Sequence, residues 1–403
     1  MRRPRLWLLL LLATGAARAG LPPVPVPAEN PLTEEKRILG KILFWDEQLS
    51  SDDTVACGTC HRPAAGGSDA RAGRNPGREA GSFDDVAGSP GIRRLDESGQ
   101  PVPDPVFGGE PQVTPRVAPS IFGALWSESL FWDGRAGGRF VDPGTNMVVI
   151  AAGGALENQA LMALANPAEM AKTNRSWDEL ETKLARSRPL DLADRLPTDV
   201  AAALAARPTY PALFAAAFGD DEVSAARIAM AIASYERSLV PDQTPWDAFD
   251  AGDATALTQF ERFGLEAMQT MQCTSCHAPP LFSTNEFANV GLRRSELDRG
   301  RQAVTNLAED AGAMRIPSLR NVGLRPRLMH TGQFTSVADA IIFYRNPSAL
   351  PDVDRLPGGG AYNFSITQLN ASDIQSFLQR ALTDPRAAAE RFPFDRPRLA
   401  SER

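Results

Sequence analysis

Beyond its first residues this 403-residue chain has no apolar run long enough to cross a bilayer, and it has no surplus of positive charge. The first absence excludes a membrane span in the mature protein. The second, a formal charge of −7, argues against a nucleic-acid partner, whose phosphates demand cationic neutralisation. Compositional bias is missing as well: 43% apolar and 23% charged residues exclude a fibre or a wholly disordered chain. Alternating strand patterns are nearly absent, so the fold is expected to be mostly α-helical. Histidine is scarce, at three residues, and cysteine numbers only four.

What stands at the N-terminus is a leader. "MRRPR" is cationic, "LWLLLLLATGA" is apolar, and Ala17-Arg18-Ala19 is an A-x-A cleavage signal. Cleavage after Ala19 would leave Gly20 first, remove Arg2, Arg3, Arg5 and Arg18, and take the formal charge to −11. The mature protein is expected to be soluble and exported to a bacterial periplasm.

The remaining length suits two domains, expected over 20–220 and 221–403. Thr33 is placed to cap a helix whose apolar residues are Ile38, Leu39, Ile42 and Leu43, and which leads to the first cysteines. From Arg62 to Pro119 a long irregular stretch rich in Gly, Pro, Arg and Asp is expected to form a lid or docking surface beside that first site. Ile228, Ile232, Tyr235 and Leu239 mark a helix expected to open the second half. Leu257, Phe260, Gly264, Met268 and Met271 form the stripe of a helix leading to the second cysteines, and Ser372 is placed to cap a last helix with Ile374, Phe377, Leu378 and Ala381 inward. Each half follows one plan, which suggests internal duplication.

All four cysteines and two of the histidines lie in two copies of Cys-x-x-Cys-His: Cys57, Cys60 and His61, then Cys273, Cys276 and His277. Two thiols at this spacing reach the two vinyl groups of a haem, and the adjacent imidazole coordinates its iron. A zinc site made of the four cysteines would leave both histidines unexplained, and a thioredoxin-type pair would want βαβ context. The expected cofactors are therefore two covalent haem c groups with His61 and His277 as proximal ligands. His330 is the one histidine left, so at least one iron is open on its far side or bound by Met, Tyr or another group.

"LGKILFWDEQLSSDDTVACGTCH", "LFWDGRA", "ENQALMALANPAEM", "RIPSLRNVGLRPRLMHTG" and "DIQSFLQ" together resemble the bacterial di-haem cytochrome c peroxidase/MauG superfamily, in order and over most of the mature chain. The resemblance implies two cytochrome c-like domains, hydrogen peroxide reacting at the first haem, and the second haem as its redox partner. It implies that Trp132 lies between the haems, that Gln159 and Glu169 form the distal polar pair over the first, and that Arg315 contacts haem propionates. Tyr344 falls where classical peroxidases have a methionine ligand to the second iron and MauG-like members have tyrosine; an anionic phenolate favours oxidised iron. His330 falls on a family histidine that is not normally an axial ligand. The chain also lacks the further histidine that closes the first haem in many peroxidases, so that haem is expected to be five-coordinate at rest. Three departures stand out. Val117 replaces the asparagine that helps bind Ca2+ between the domains, leaving only backbone carbonyls for that ion. Ala163 stands where MauG-like proteins often have proline, and the 62–119 stretch is longer than usual.

The function implied is a MauG-like oxidase in which a peroxide-generated high-valent di-haem state oxidises a Trp or Tyr of a periplasmic partner protein, a copper-binding one included. The alternatives are a detoxifying peroxidase fed by a small cytochrome or copper protein, and a di-haem electron carrier without catalysis.

Overall fold

The computed structural model describes residues 20–77, 84–345 and 366–403. The leader expected over 1–19 lies outside the described residues. Thirteen helices are found among them: α1 (Glu34–Phe44), α2 (Cys57–Cys60), α3 (Ala155–Leu164), α4 (Trp177–Arg186), α5 (Thr198–Ala206), α6 (Tyr210–Phe218), α7 (Ala225–Glu236), α8 (Pro245–Asp250), α9 (Gln259–Thr270), α10 (Gln302–Thr305), α11 (Val337–Arg345), α12 (Gln368–Ser376) and α13 (Pro385–Ala388). The strands are two to four residues long and pair only as antiparallel couples: β1 (Gly73–Asn75) with β2 (Val86–Gly88), β3 (Pro90–Arg93) with β4 (Pro111–Val113), β5 (Phe140–Val141) with β6 (Val148–Ile150), and β7 (Phe287–Ala288) with β8 (Met314–Arg315).

Two buried cores organise these elements. In the first, Thr33 Oγ1 accepts from Lys36 N at 3.2 Å, Glu34 and Glu35 occupy the positive end of α1, and Leu39, Ile42 and Leu43 face inward. α1 packs most extensively against α7, crossing it at Gly40. A methyl on Gly40 would run into the carbonyl of Ala231 and the Cβ of Tyr235, so only glycine lets the backbones meet there. The second core repeats the device. Thr258 and Glu261 cap α9 reciprocally, with Thr258 N donating to the Glu261 carboxylate at 2.7 Å. α9 crosses α12 at Gly264, where a methyl would meet the Asp373 carbonyl and the Phe377 Cβ. In each half the glycine-bearing helix is the one that runs into a Cys pair.

Several sequence expectations change. α7 was expected to open the second half; instead Ile228, Ile232, Tyr235 and Leu239 all lie in the first core, and the second core begins at Trp246. The helix packs against α1, α3 and α4, all elements of the first half. Phe260 is 62% exposed, because the buried face of α9 runs through Glu261, Gly264, Ala267 and Met268. α12 starts before Ser372: Thr367 is its cap, accepting from Asn370 N at 3.2 Å, while Ile374, Phe377, Leu378 and Ala381 are buried as expected.

The 62–119 stretch is not structureless, for it carries β1–β4. It bridges the halves: Ala87 N donates to Thr331 O at 2.9 Å, and Arg293 Nη2 to Asp84 O at 2.8 Å. The chain's last residues return to the first half, where Ala387, Phe394 and Leu399 join its core. There the N–H groups of Ala400 and Ser401 donate to the Glu47 carboxylate at 2.8 and 3.0 Å, and Arg62 pairs with Glu390 and Glu402.

Candidate functional site

The two Cys pairs are presented in the same way. Each forms one tight helical turn, closed by the histidine N–H on the first cysteine's carbonyl, at 3.0 Å for His61 on Cys57 and 3.0 Å for His277 on Cys273. His61 Nδ1 lies 3.2 Å from Gly67 O, and His277 Nδ1 lies 3.2 Å from Phe282 O. A ring that donates from Nδ1 to a carbonyl presents Nε2 as a bare lone pair, the form that ligates a metal. Burial favours that neutral form, lowering His61 below the usual imidazole range and His277 to about 4.

All four thiols are free. Burial pushes Cys57 up to about 12 and Cys60 well above the ordinary thiol range, the reverse of what a redox-active dithiol or a thiolate metal site needs. Cys57 packs on the first core and Cys273 on the second, so the four sulfurs do not converge on one zinc. Two separate thiol pairs, each beside a histidine whose Nδ1 faces a carbonyl, fit covalent haem attachment.

A cavity of about 400 Å³ opens beside His61. Cys60, Trp132, Gln159 and Glu169 also line it, so the residues expected at the first site, apart from Cys57, face one space. Gln159 comes from α3, which is anchored by the buried pair of Glu157 with Arg237 at 2.7 Å; removing one partner of such a pair costs about 3–5 kcal/mol. Glu169 lies just past the end of α3, in the turn that follows Asn166. Burial raises its carboxyl to about 7, against the opposing charge of Arg135 and a 2.6 Å hydrogen bond from Asn166 Nδ2 to Oε1. A carboxyl balanced near neutrality both takes and returns protons. Asn166 was missed as a site residue; its signal was the Asn-x-x-Glu spacing at the end of α3.

Trp132 is buried at the seam of the halves. Its Nε1 donates to Val117 O at 2.8 Å, its ring meets the His330 ring edge-on at 6.2 Å, and its carbonyl accepts from Arg315 N at 2.7 Å. Arg116 crosses the same seam, with Nη1 2.7 Å from Asp133 Oδ2 and Nη2 2.6 Å from Asp298 Oδ1. His330 is buried, with Nε2 free of any hydrogen-bond partner.

In the second half Arg315 is 5% exposed, and burial lowers its guanidinium to about 10. Arg325, which the sequence reading passed over, is lowered to about 10 by burial and by the charge of Arg315. Buried guanidiniums without an acid are suited to the propionates of a haem at His277. Tyr344 lies on α11, half-buried against the second core, with its ring edge-on to Phe343 at 5.1 Å. Calcium fits less well. Val117 offers no side-chain oxygen, its carbonyl is taken by Trp132 and its N–H by His330 O at 3.0 Å, and the Asp133 and Asp298 carboxylates are taken by guanidiniums. The residues around Val117 therefore do not fit that ion.

The family model of di-haem cytochrome c peroxidases matches residues 34–255. The methylamine utilization protein MauG of Methylophilus methylotrophus is 27% identical over 92% of this chain and 92% of its own. The cytochrome c551 peroxidase of Pseudomonas aeruginosa is 28% identical over 80% of this chain and 77% of its own. Among solved structures, a MauG-like protein associated with microbial copper homeostasis superposes with a TM-score of 0.63 at 23% identity, covering 93% of this chain and 96% of its own. The diheme peroxidase BthA of Burkholderia thailandensis does so with 0.60 at 21% identity, covering 92% and 91%.

Proposed function

The chain belongs to the di-haem cytochrome c peroxidase family, a haem-dependent oxidoreductase family, and from that premise we propose that it is a periplasmic MauG-like oxidase of a partner protein. Peroxide is its oxidant, and an aromatic residue, Trp or Tyr, of an exported partner is its substrate. When bound, the haems supply the iron that accepts peroxide and stores two oxidising equivalents.

The cavity beside His61 carries the peroxide half of this reading, because it gathers an open ligand face, a carboxamide and a carboxyl near its working point. Gln159 orients the incoming peroxide. With the haem bound, Glu169 would accept the proton of one peroxide oxygen and return it to the other, while Asn166 holds Oε1 so that the carboxyl faces the cavity. Trp132 joins the two halves through Val117 and Arg315, and its indole N–H stays hydrogen-bonded to a carbonyl, so the ring can lose an electron without having to lose its proton. Arg315 holds a propionate of the second haem.

Tyr344 decides between partner oxidation and detoxification. A phenolate on the second iron suits a site that waits, oxidised, for a slow protein substrate; a thioether suits rapid uptake of electrons from a small donor. The copper association of the structurally similar MauG-like protein supports a copper-binding partner. Titrating the diferric protein with peroxide should produce a long-lived near-infrared absorption shared by both haems, and Tyr344→His should abolish it with both haems still attached. A protein that must first be reduced, and then turns over reduced cytochrome c rapidly, would overturn this reading in favour of the detoxifying peroxidase.

A further inference from the structure

Charge is balanced at one buried arginine of the second half. Arg320, fully buried, is forked onto Asp247 at 2.9 and 2.8 Å. Arg315 and Arg325 differ. Arg315 reaches Ser127 Oγ at 3.0 Å through Nη1, and Arg325 reaches Ser318 O at 2.7 Å through Nη2, yet the Nε of each is buried with no acceptor. No carboxylate is close enough to favour the charged form of either, and each charge bears on its neighbour, Arg315 on Arg325 and Arg325 on His277. An uncompensated buried ion costs several kcal/mol, so two of them side by side mark a place where an anion is bound.

Arg315 has its propionate role by resemblance; Arg325 has none. Its stem lies in the seam between the halves, against Gly66. That residue has φ of +66°, and a methyl on it would stand 2.6 Å from Arg325 Cγ and 2.6 Å from Asn321 O. The next residue, Gly67, supplies the carbonyl that orients His61. Arg325 thus touches the turn that sets one iron ligand while its guanidinium lies near the other.

We propose that Arg325 is a second propionate-binding residue of the haem at His277, and that its contact with the Gly66–Gly67 turn couples the charge of that haem to the seating of His61. A cation held beside a haem favours its reduced form, so removing it lowers the midpoint potential. This proposal rests on the presence of two haems and not on which substrate is oxidised, so failure of the Tyr344 test leaves it untouched.

The test uses the full-length holoprotein. Arg325→Gln should keep two haems by pyridine haemochrome assay and shift the potential of the second haem downward in a spectroelectrochemical titration, with Arg325→Lys restoring most of the shift. Gly66→Ala, which keeps the charge but displaces its stem, should move the same potential in the same direction and alter the ligand-field spectrum of the first haem. If Arg325→Gln lowers the melting temperature and leaves both potentials unchanged, Arg325 is only a donor to Ser318, and the proposal is wrong. Should that variant fail to mature, unchanged potentials in Gly66→Ala would refute it equally.

Discussion

Around His61 the wall carries a carboxamide, a carboxyl and an open space; around His277 it carries two guanidiniums with no acid beside them. The scaffolds beneath are nearly the same. Each has a capped helix, a glycine crossing, a tight Cys turn and a histidine whose Nδ1 donates to a nearby carbonyl. The difference teaches that attachment and reactivity are set by separate parts of the structure. The turn and its histidine hold a cofactor, whereas the residues opposite decide whether protons move or charge is stabilised.

The sharpest way to break this comparison is to remove one thiol pair at a time. Replacing Cys57 and Cys60 with Ala should halve the haem content and eliminate reaction with peroxide. The same change at Cys273 and Cys276 should halve the haem content but leave a first haem that still reacts; stopped-flow absorbance separates the two cases. A protein in which both variants behave alike would show that the halves are not specialised.

Next in size is the proton function. Glu169→Gln should slow the peroxide reaction by about 10²–10⁴-fold. The sign of its pH dependence follows from burial: the carboxylate, which accepts the first proton, is populated only above about 7, so the wild-type rate should climb as pH rises through that value and the variant should lose the inflection. Asn166→Ala removes a hydrogen bond that favours the carboxylate, so it should move the inflection upward. Burial also raises Glu236, on α7, to about 8. Both carboxyls bind protons more tightly folded than unfolded, so they should subtract stability as pH rises from the ordinary glutamate range through 7 and 8, measurable by denaturant titration.

A smaller effect tests the shared scaffold. Gly40→Ala and Gly264→Ala should each destabilise the fold by about 1–3 kcal/mol through overpacking. The first should loosen haem attachment at Cys57 and Cys60, the second at Cys273 and Cys276. Smallest of all is the response to chelation: dialysis against EGTA should leave the melting temperature and haem spectra unchanged, because the Asp133 and Asp298 carboxylates at the seam are paired with Arg116.

How much of this was legible in the sequence depended on whether the signal was local. The Cys-x-x-Cys-His turns, the Thr33 cap and the inward faces of α7 and α12 are written in residues a few positions apart, and the structure has them. Cys60 and His61, read from the motif, and Trp132, Gln159 and Glu169, assigned by resemblance, line one cavity although they span more than a hundred positions. What could not be read was tertiary. The apolar face of α7 says that the helix is buried, not against which neighbour. Phe260 shares the period of α9 yet faces outward, and Arg325 looks like any surface arginine until Gly66 is brought beside it.

The return of the C-terminal residues to the first core has a consequence for biogenesis. A chain made from its N-terminus presents Cys57 and Cys60 early, but Phe394 and Leu399, which complete the surrounding core, come only after the second Cys pair. The first core is therefore completed only after the second Cys pair has been made, and a change at Phe394 or Leu399 would be felt around Cys57 and Cys60.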